Sequence, residues 1–165
     1  MAIKSKDSKT LVKKAKELGK EYFGVYQACA PATLMAVADT LKMEVSDDVF
    51  KSTVGLSSLA GGCGGLCGAS AVYGLRYGPG REEYLEKPDM MEIMGMMLGI
   101  QTKFEEKYSG YTCKDVQNSL FGRSFDFRVP EDAAAYGKVD AMKCSMATSD
   151  ASGWIVESIL AKEQA

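Results

Sequence analysis

The stretch that decides the fold is QACAPATLMAVADTLKM (27–43). Pro31 suits the first turn of a helix, where its missing N–H group costs nothing. Apolar residues then occur on most sides of the helix that follows: Leu34, Met35, Val37, Ala38 and Leu41. Because a helix that is apolar nearly all round is normally buried, we predict that this one is central. Cys29 lies at or just before its N-terminus, where free N–H groups and partial positive charge are expected to lower a thiol pKa.

Outward from this helix the pattern is helical nearly throughout, with RSFDFRVPEDAAAYGK (123–138) as the least regular part. Gly78-Pro79-Gly80 is a strong helix breaker and marks a loop. Helix starts are predicted at Ser8, Ser46, about Cys67, Pro88, Thr112 or Cys113, and Ala147 or Asp150. We therefore predict an all-α bundle of about five to seven helices, forming a single domain over residues 1–165.

Composition excludes several classes of function. The chain has 165 residues and a formal net charge of −2, without the basic patch of a nucleic-acid-binding protein. No stretch approaches the ~20 apolar residues of a membrane span. The N-terminus, MAIKSKDSKTLVKKAKELGKEYFG (1–24), lacks the apolar core of a signal peptide, so we expect a cytoplasmic protein.

The chain contains no histidine. This excludes a Cys-His dyad, a Ser-His-Asp triad and a Cys/His zinc finger. It also excludes haem attached through a CxxCH motif, so no haem is expected. Any metal would be held by sulfur, carboxylate or an exogenous group.

Five cysteines are the main anomaly: Cys29, Cys63, Cys67, Cys113 and Cys144. In a reducing cytosol, several scattered thiols more often indicate metal or redox chemistry than disulfides. The alternative is that they are small buried hydrophobic residues. All except Cys63 lie near a predicted helix N-terminus, so four thiols are able to converge at one end of the bundle.

Two of these cysteines lie in the glycine-rich stretch SLAGGCGGLCGASAVYG (58–74). Such permissive backbone indicates that something approaches the main chain closely. A run of two glycines argues against a continuous helix, so Cys63 is placed on a loop and Cys67 at a helix start. We therefore predict that a cofactor binds against the backbone of Gly62, Gly64 and Gly68. The alternative is a tight interhelix loop in which glycine serves packing alone.

Five methionines lie between residues 90 and 97, and Met90, Met94 and Met97 share a helical face. Thioethers are soft ligands for Cu(I), but methionine at this spacing more often fills a core or an interface. We therefore expect this helix to form the seam of a homodimer. The lysine-rich face of the first helix is a candidate for docking a redox partner protein.

Taken in order, YQACAPATLMAVAD, GGCGGLCGA, GLRYG, YTCKDVQ and KCSMA resemble the C-GCAxxG-C-C family of proteins, which is regarded as redox-active. The resemblance runs from about residue 24 to residue 160. It matches the four characteristic cysteines of the family to Cys29, Cys67, Cys113 and Cys144. The chain departs from the family in two places: the closing glycine of the motif falls on Val72, and Cys63 is a fifth thiol. A similar domain occurs in the split-Soret cytochromes, which are helical dimers that carry haem and an iron–sulfur cluster. Because this chain lacks the haem attachment sequence, the resemblance implies only the cluster here.

The leading hypothesis is an iron–sulfur protein for electron transfer or redox sensing. Its thiolates would come from Cys29, Cys67, Cys113 and Cys144, with Cys63 as an optional fifth ligand. A second hypothesis is a metal-free thiol–disulfide protein, with Cys67 as a low-pKa attacking thiol and Cys63 as its resolving partner. A third is a non-redox binder or chaperone for zinc, Cu(I) or an iron–sulfur precursor. The remaining alternative is a purely structural helical dimer. No residue set for a bond-making reaction is evident, so the sequence does not indicate an enzyme.

Overall fold

The computed structural model describes residues 5–57 and 61–164, so Ser58, Leu59 and Ala60 of the glycine-rich stretch lie outside the described residues. The described residues are all-α, as predicted, but they form nine α-helices, more than the five to seven expected, and a short 3₁₀ turn at Ala141–Cys144. The α-helices are α1 (Ser5–Tyr26), α2 (Cys29–Leu41), α3 (Asp47–Val54), α4 (Gly64–Tyr77), α5 (Arg81–Leu85), α6 (Met91–Tyr108), α7 (Cys113–Phe121), α8 (Pro130–Tyr136) and α9 (Ser145–Gln164).

Helix α2 is the central element, which confirms the prediction from its sequence. Most of its residues are buried, including Leu34 and Val37 with no exposed surface. It packs against α1 on one side and against α4 and α9 on others. The helix ends at Lys42, whose left-handed backbone returns its N–H to Ala38.

Helices α1 and α9 form a long antiparallel pair, in which Thr148 bonds to Gly19 near one end and Gln164 bonds to Ser8 near the other. A small residue is required where they cross, because a β-carbon at Gly19 would lie 2.8 Å from the carbonyl oxygen of Thr148. The Thr148 hydroxyl donates a hydrogen bond to the Gly19 carbonyl at 2.9 Å. This contact positions the N-terminal end of α9, which begins at Ser145, slightly earlier than predicted.

Helix α4 begins at Gly64, three residues before the predicted start. Glycine is a poor helix former, but its lack of a side chain lets α4 pack closely on its neighbours. A β-carbon at Gly65 would lie 3.1 Å from the carbonyl oxygen of Ala147, in α9. One at Gly68 would lie 2.5 Å from the carbonyl oxygen of Ala30, in α2. Tertiary packing therefore overrides the local preference.

Helix α6 divides its methionines between two environments. Met90, Met96 and Met97 pack against the core, whereas Met91 and Met94 are 69% and 50% exposed. The three methionines predicted to share one face therefore do not share one environment. The homodimer seam on α6 stays a prediction.

Two short helices lie where the sequence indicates little regular structure. Helix α5 follows the Gly78-Pro79-Gly80 break, and α8 lies inside the stretch 123–138, with Pro130 in its first turn. Within the described ranges, no helix combines the length and apolar character that crossing a membrane requires.

Candidate functional site

All five cysteines lie at or beside the N-terminal end of a helix, and all five are free thiols. Cys29 opens α2, Cys63 immediately precedes α4, Cys67 lies in the first turn of α4, Cys113 opens α7, and Cys144 ends the 3₁₀ turn that leads into α9. Cys63, which the sequence placed on a loop apart from any helix start, is the N-cap residue of α4. Four separate helix starts therefore contribute the five thiols.

A short antiparallel bridge joins the segment before α4 to the segment before α7. Gly62 pairs with Thr112. The Cys63 N–H donates to the carbonyl of Tyr111 at 2.8 Å, and the Cys113 N–H donates to that of Gly61 at 3.3 Å. In this register Cys63 lies opposite Tyr111 and Cys113 lies opposite Gly61, so the two cysteines are diagonal neighbours across the bridge.

The start of α2 is held against the start of α4. A β-carbon at Gly64 would lie only 2.7 Å from Cβ of Cys29, so no larger residue fits there without displacement. The Ser57 hydroxyl accepts a hydrogen bond from the Ala30 N–H at 3.3 Å, which satisfies one of the free N–H groups at the start of α2. Cys29 is thereby brought next to the turn that carries Cys63.

Cys144 completes the group from a fourth direction. It is buried with Phe23 and Ala32 in a small apolar cluster, against which Cys29 and Phe121 also pack. The 3₁₀ turn that carries Cys144 contacts α1, α7 and α9. The cluster therefore joins Cys144 to Cys29 at the same end of the bundle.

The thiols that converge there are held in their neutral form. Burial raises the pKa of Cys29 well above its usual value, and the neighbouring Cys63, Cys144 and Cys113 raise it further. Burial also raises the pKa of Cys63 to about 12 and that of Cys144 to about 11. The expectation that the helix N-terminus lowers the pKa of Cys29 is wrong in sign, because loss of hydration outweighs the helix-end N–H groups.

Cys67 lies at the edge of this group. Its sulfur would be 3.2 Å from a β-carbon at Gly62. It also lies near Cys113, because the pKa of Cys113 is raised first by burial and then by Cys67. Burial raises the pKa of Cys67 as well. The prediction of a low-pKa attacking thiol at this position is therefore wrong, again because desolvation dominates.

At the three glycines predicted to lie against a cofactor, neighbouring protein atoms fill the space where a side chain would be. Gly64 and Gly68 face α2, and Gly62 faces the sulfur of Cys67. The groups that approach the glycine-rich main chain closely are therefore helix α2 and the side chain of Cys67. A cofactor-binding role for these three glycines stays a prediction.

Sequence reasoning missed two polar side chains that contact the sulfurs. The Gln117 amide donates to the sulfur of Cys113 at 3.6 Å, and the Tyr136 hydroxyl lies 3.9 Å from the sulfur of Cys144. Gln117 follows Cys113 by four residues, one turn of the same helix, and this spacing is the signal that the sequence contained. Nothing local in the sequence indicates Tyr136.

The donor set suits an iron–sulfur group, since thiolates are the ligands of such clusters and of soft metals. Among residues 5–57 and 61–164, no three cysteine or carboxylate side chains are arranged to hold a metal ion. A cysteine side chain turns about a single Cα–Cβ bond. By rotating about these bonds, the thiols would have to leave their present positions in order to share a metal.

Comparison with known proteins identifies the family of the chain. Residues 27–158 match the model of a family described as "Putative redox-active protein (C_GCAxxG_C_C)". The match spans most of the chain, and the chain belongs to this family. No curated protein and no solved structure matches the chain.

Proposed function

We propose that this chain is an iron–sulfur cluster-binding protein that acts in electron transfer or redox sensing. In this proposal the thiolate ligands come from Cys29, Cys63, Cys113 and Cys144. Each of the four lies at a different helix start, so the bundle itself sets their spacing. A bound cluster would supply a reversible one-electron couple.

The observation that carries the proposal is that the main-chain bridge, the close contact of Gly64 with Cys29 and a shared apolar cluster hold these thiols near one another. The pKa of Cys29 is raised by Cys63, Cys144 and Cys113, and that of Cys144 is raised by Cys113. Several thiolates at one place repel each other and lack hydration, so they require a compensating cation. The iron of a bound cluster would supply this positive charge.

The proposal uses Cys63 where the family resemblance uses Cys67. Cys63 is 3% exposed and interacts with both Cys113 and Cys144. Cys67 is more exposed and interacts with Cys113, on the outer side of the group. Its greater burial and its proximity to two other proposed ligands favour Cys63 as a ligand and Cys67 as a flanking thiol.

The test is anaerobic reconstitution of the full chain with iron and sulfide, followed by iron and acid-labile sulfide assays and a visible spectrum. Single Cys→Ser variants at positions 29, 63, 113 and 144 are expected to lose most of the iron and the colour. Cys67→Ser is the matched control, with the same chemical change in the same segment as Cys63→Ser, and is expected to retain both.

A wild-type chain that stays colourless and free of iron and sulfide after reconstitution would contradict the proposal. If Cys67→Ser loses the cluster and Cys63→Ser keeps it, the ligand set is that of the family motif. Metal analysis of protein from unsupplemented cells tests the hypothesis of a soft-metal binder, which stoichiometric zinc or copper would support.

A second candidate function rests on the proximity of Cys67 to Cys113, whose pKa Cys67 raises. These thiols interact across two helix starts, so they are a better candidate pair than Cys63 and Cys67. Oxidation would join the two sulfurs and release two protons and two electrons, and a disulfide of a partner protein would accept these and become a dithiol. A reversible 67–113 disulfide in metal-free protein, mapped by mass spectrometry, would support this function.

The homodimer, the redox partner protein and the cytoplasmic location expected from the sequence stay predictions.

A further inference from the structure

Two hydrogen-bond donors reach the sulfurs from outside the group of cysteines. Gln117 is buried in α7, and its Nε2 donates to the sulfur of Cys113 at 3.6 Å. Tyr136 ends α8, and its hydroxyl lies 3.9 Å from the sulfur of Cys144. Each donor serves a different proposed ligand.

The orientation of the Gln117 amide is determined by its other contact. Its Oε1 accepts a hydrogen bond from the backbone N–H of Phe125 at 2.8 Å. An N–H group only donates, so the amide oxygen must face Phe125 and the amide NH₂ must face Cys113. The sulfur is therefore the acceptor in this contact.

Phe125 also holds the second donor in place. The Tyr136 ring packs edge-on against the rings of Phe125 and Phe127, with centroids 5.3 and 5.0 Å apart. A phenol is protonated at neutral pH. Facing a thiolate, this hydroxyl can only donate.

We propose that residues 117–136 form a donor clamp, in which Gln117 and Tyr136 hydrogen-bond the sulfurs of Cys113 and Cys144 and raise the reduction potential of the centre that these thiolates ligate. The inference rests on the proposed cluster. Reduction adds one electron and breaks no bond, so negative charge on the ligating sulfurs increases. Hydrogen bonds to those sulfurs stabilise the reduced form more than the oxidised form.

The test uses the reconstituted full chain in an anaerobic dithionite titration with redox mediators. Tyr136→Phe removes one hydroxyl and keeps the ring, and Gln117→Met keeps the length of the side chain and removes the amide. Tyr77→Phe is the matched control, because Tyr77 is at the C-terminal end of α4, about 15 Å along the helix from Cys67. Its hydroxyl contacts Glu163.

Each clamp variant is expected to shift the midpoint potential to a more negative value, and the double variant to shift it further. Iron and sulfide per chain should stay at the wild-type level, and Tyr77→Phe should leave the potential unchanged. If Gln117→Met fails to fold in a thermal melt, Tyr136→Phe alone decides the result.

Loaded clamp variants with the wild-type potential would overturn this inference and leave the proposed function intact. A wild-type chain that does not take up iron and sulfide would overturn both. The iron assay therefore separates the two failures before any potential is measured.

Discussion

Cys29 occupies the space where Gly64 would carry a side chain. The two positions are so close that a β-carbon at residue 64 would lie 2.7 Å from Cβ of Cys29 and 2.9 Å from the carbonyl oxygen of Ser57. The contact joins the N-termini of α2 and α4 and thereby positions two of the thiols. It also gives the glycine-rich stretch a specific structural role.

Gly64→Ala is therefore expected to force the two helix starts apart. Overpacking of this kind costs about 1–3 kcal/mol, and the displaced Cys29 should reduce iron loading. Gly74→Ala is the control in the same helix, because nothing lies within 4 Å of a β-carbon there. That variant should gain about 0.5–1 kcal/mol from better helix propensity. Urea unfolding of both variants measures the difference, and equal stabilities would contradict the account.

The exposed face of α6 provides a second stability prediction. Gly95 and Gly99 are exposed in the middle of the helix, with open space where a β-carbon would stand. Each Gly→Ala substitution should stabilise the chain by about 0.5–1 kcal/mol. Unfolding curves at several protein concentrations provide the measurement. A loss of stability that grows with concentration would show instead that another copy of the chain packs closely on this face.

The Tyr22–Asp39 hydrogen bond predicts a dependence on pH. The Tyr22 hydroxyl donates to Asp39 at 2.5 Å, and this contact, with burial, raises the pKa of Tyr22 from 10.0 to about 12. A raised pKa favours the folded state below pH 10, and the benefit is lost as the pH rises toward 12. Tyr22→Phe should therefore be less stable than wild type by about 1 kcal/mol at pH 7. The difference should shrink above pH 10, and a gap that widens there would have the wrong sign.

Thiol accessibility provides a fourth prediction for the reduced, metal-free chain. Cys63 and Cys144 are buried, at 3% and 9% exposure, whereas Cys67 is partly exposed. Alkylation with iodoacetamide, followed by mass mapping, should modify Cys67 well before the other two. Modification of Cys63 at the rate of Cys67 would show that the start of α4 opens in solution.

The elements that depend on local signals were predictable from the sequence. The apolar character of residues 27–43 identified the central helix, and Ser46 and Thr112 cap α3 and α7 with their own side chains. The start of α4 at Gly64 was not predictable, since it depends on contacts with α2 and α9 that only the folded chain makes.

The same distinction applies to the site. The positions of four cysteines near helix starts follow from local pattern. The direction of their pKa shifts does not, because burial at the meeting point of four helices outweighs the helix-end N–H groups. The donor at Tyr136 depends on ring packing with Phe125 and Phe127, and no spacing in the sequence encodes that packing.

The most direct test of the central claim is a crystal structure of the anaerobically reconstituted chain, with anomalous diffraction measured at the iron edge. We predict iron peaks enclosed by the sulfurs of Cys29, Cys63, Cys113 and Cys144, at the end of the bundle where their helices begin. Crystals without iron at that position, with the four thiols unligated, would contradict it.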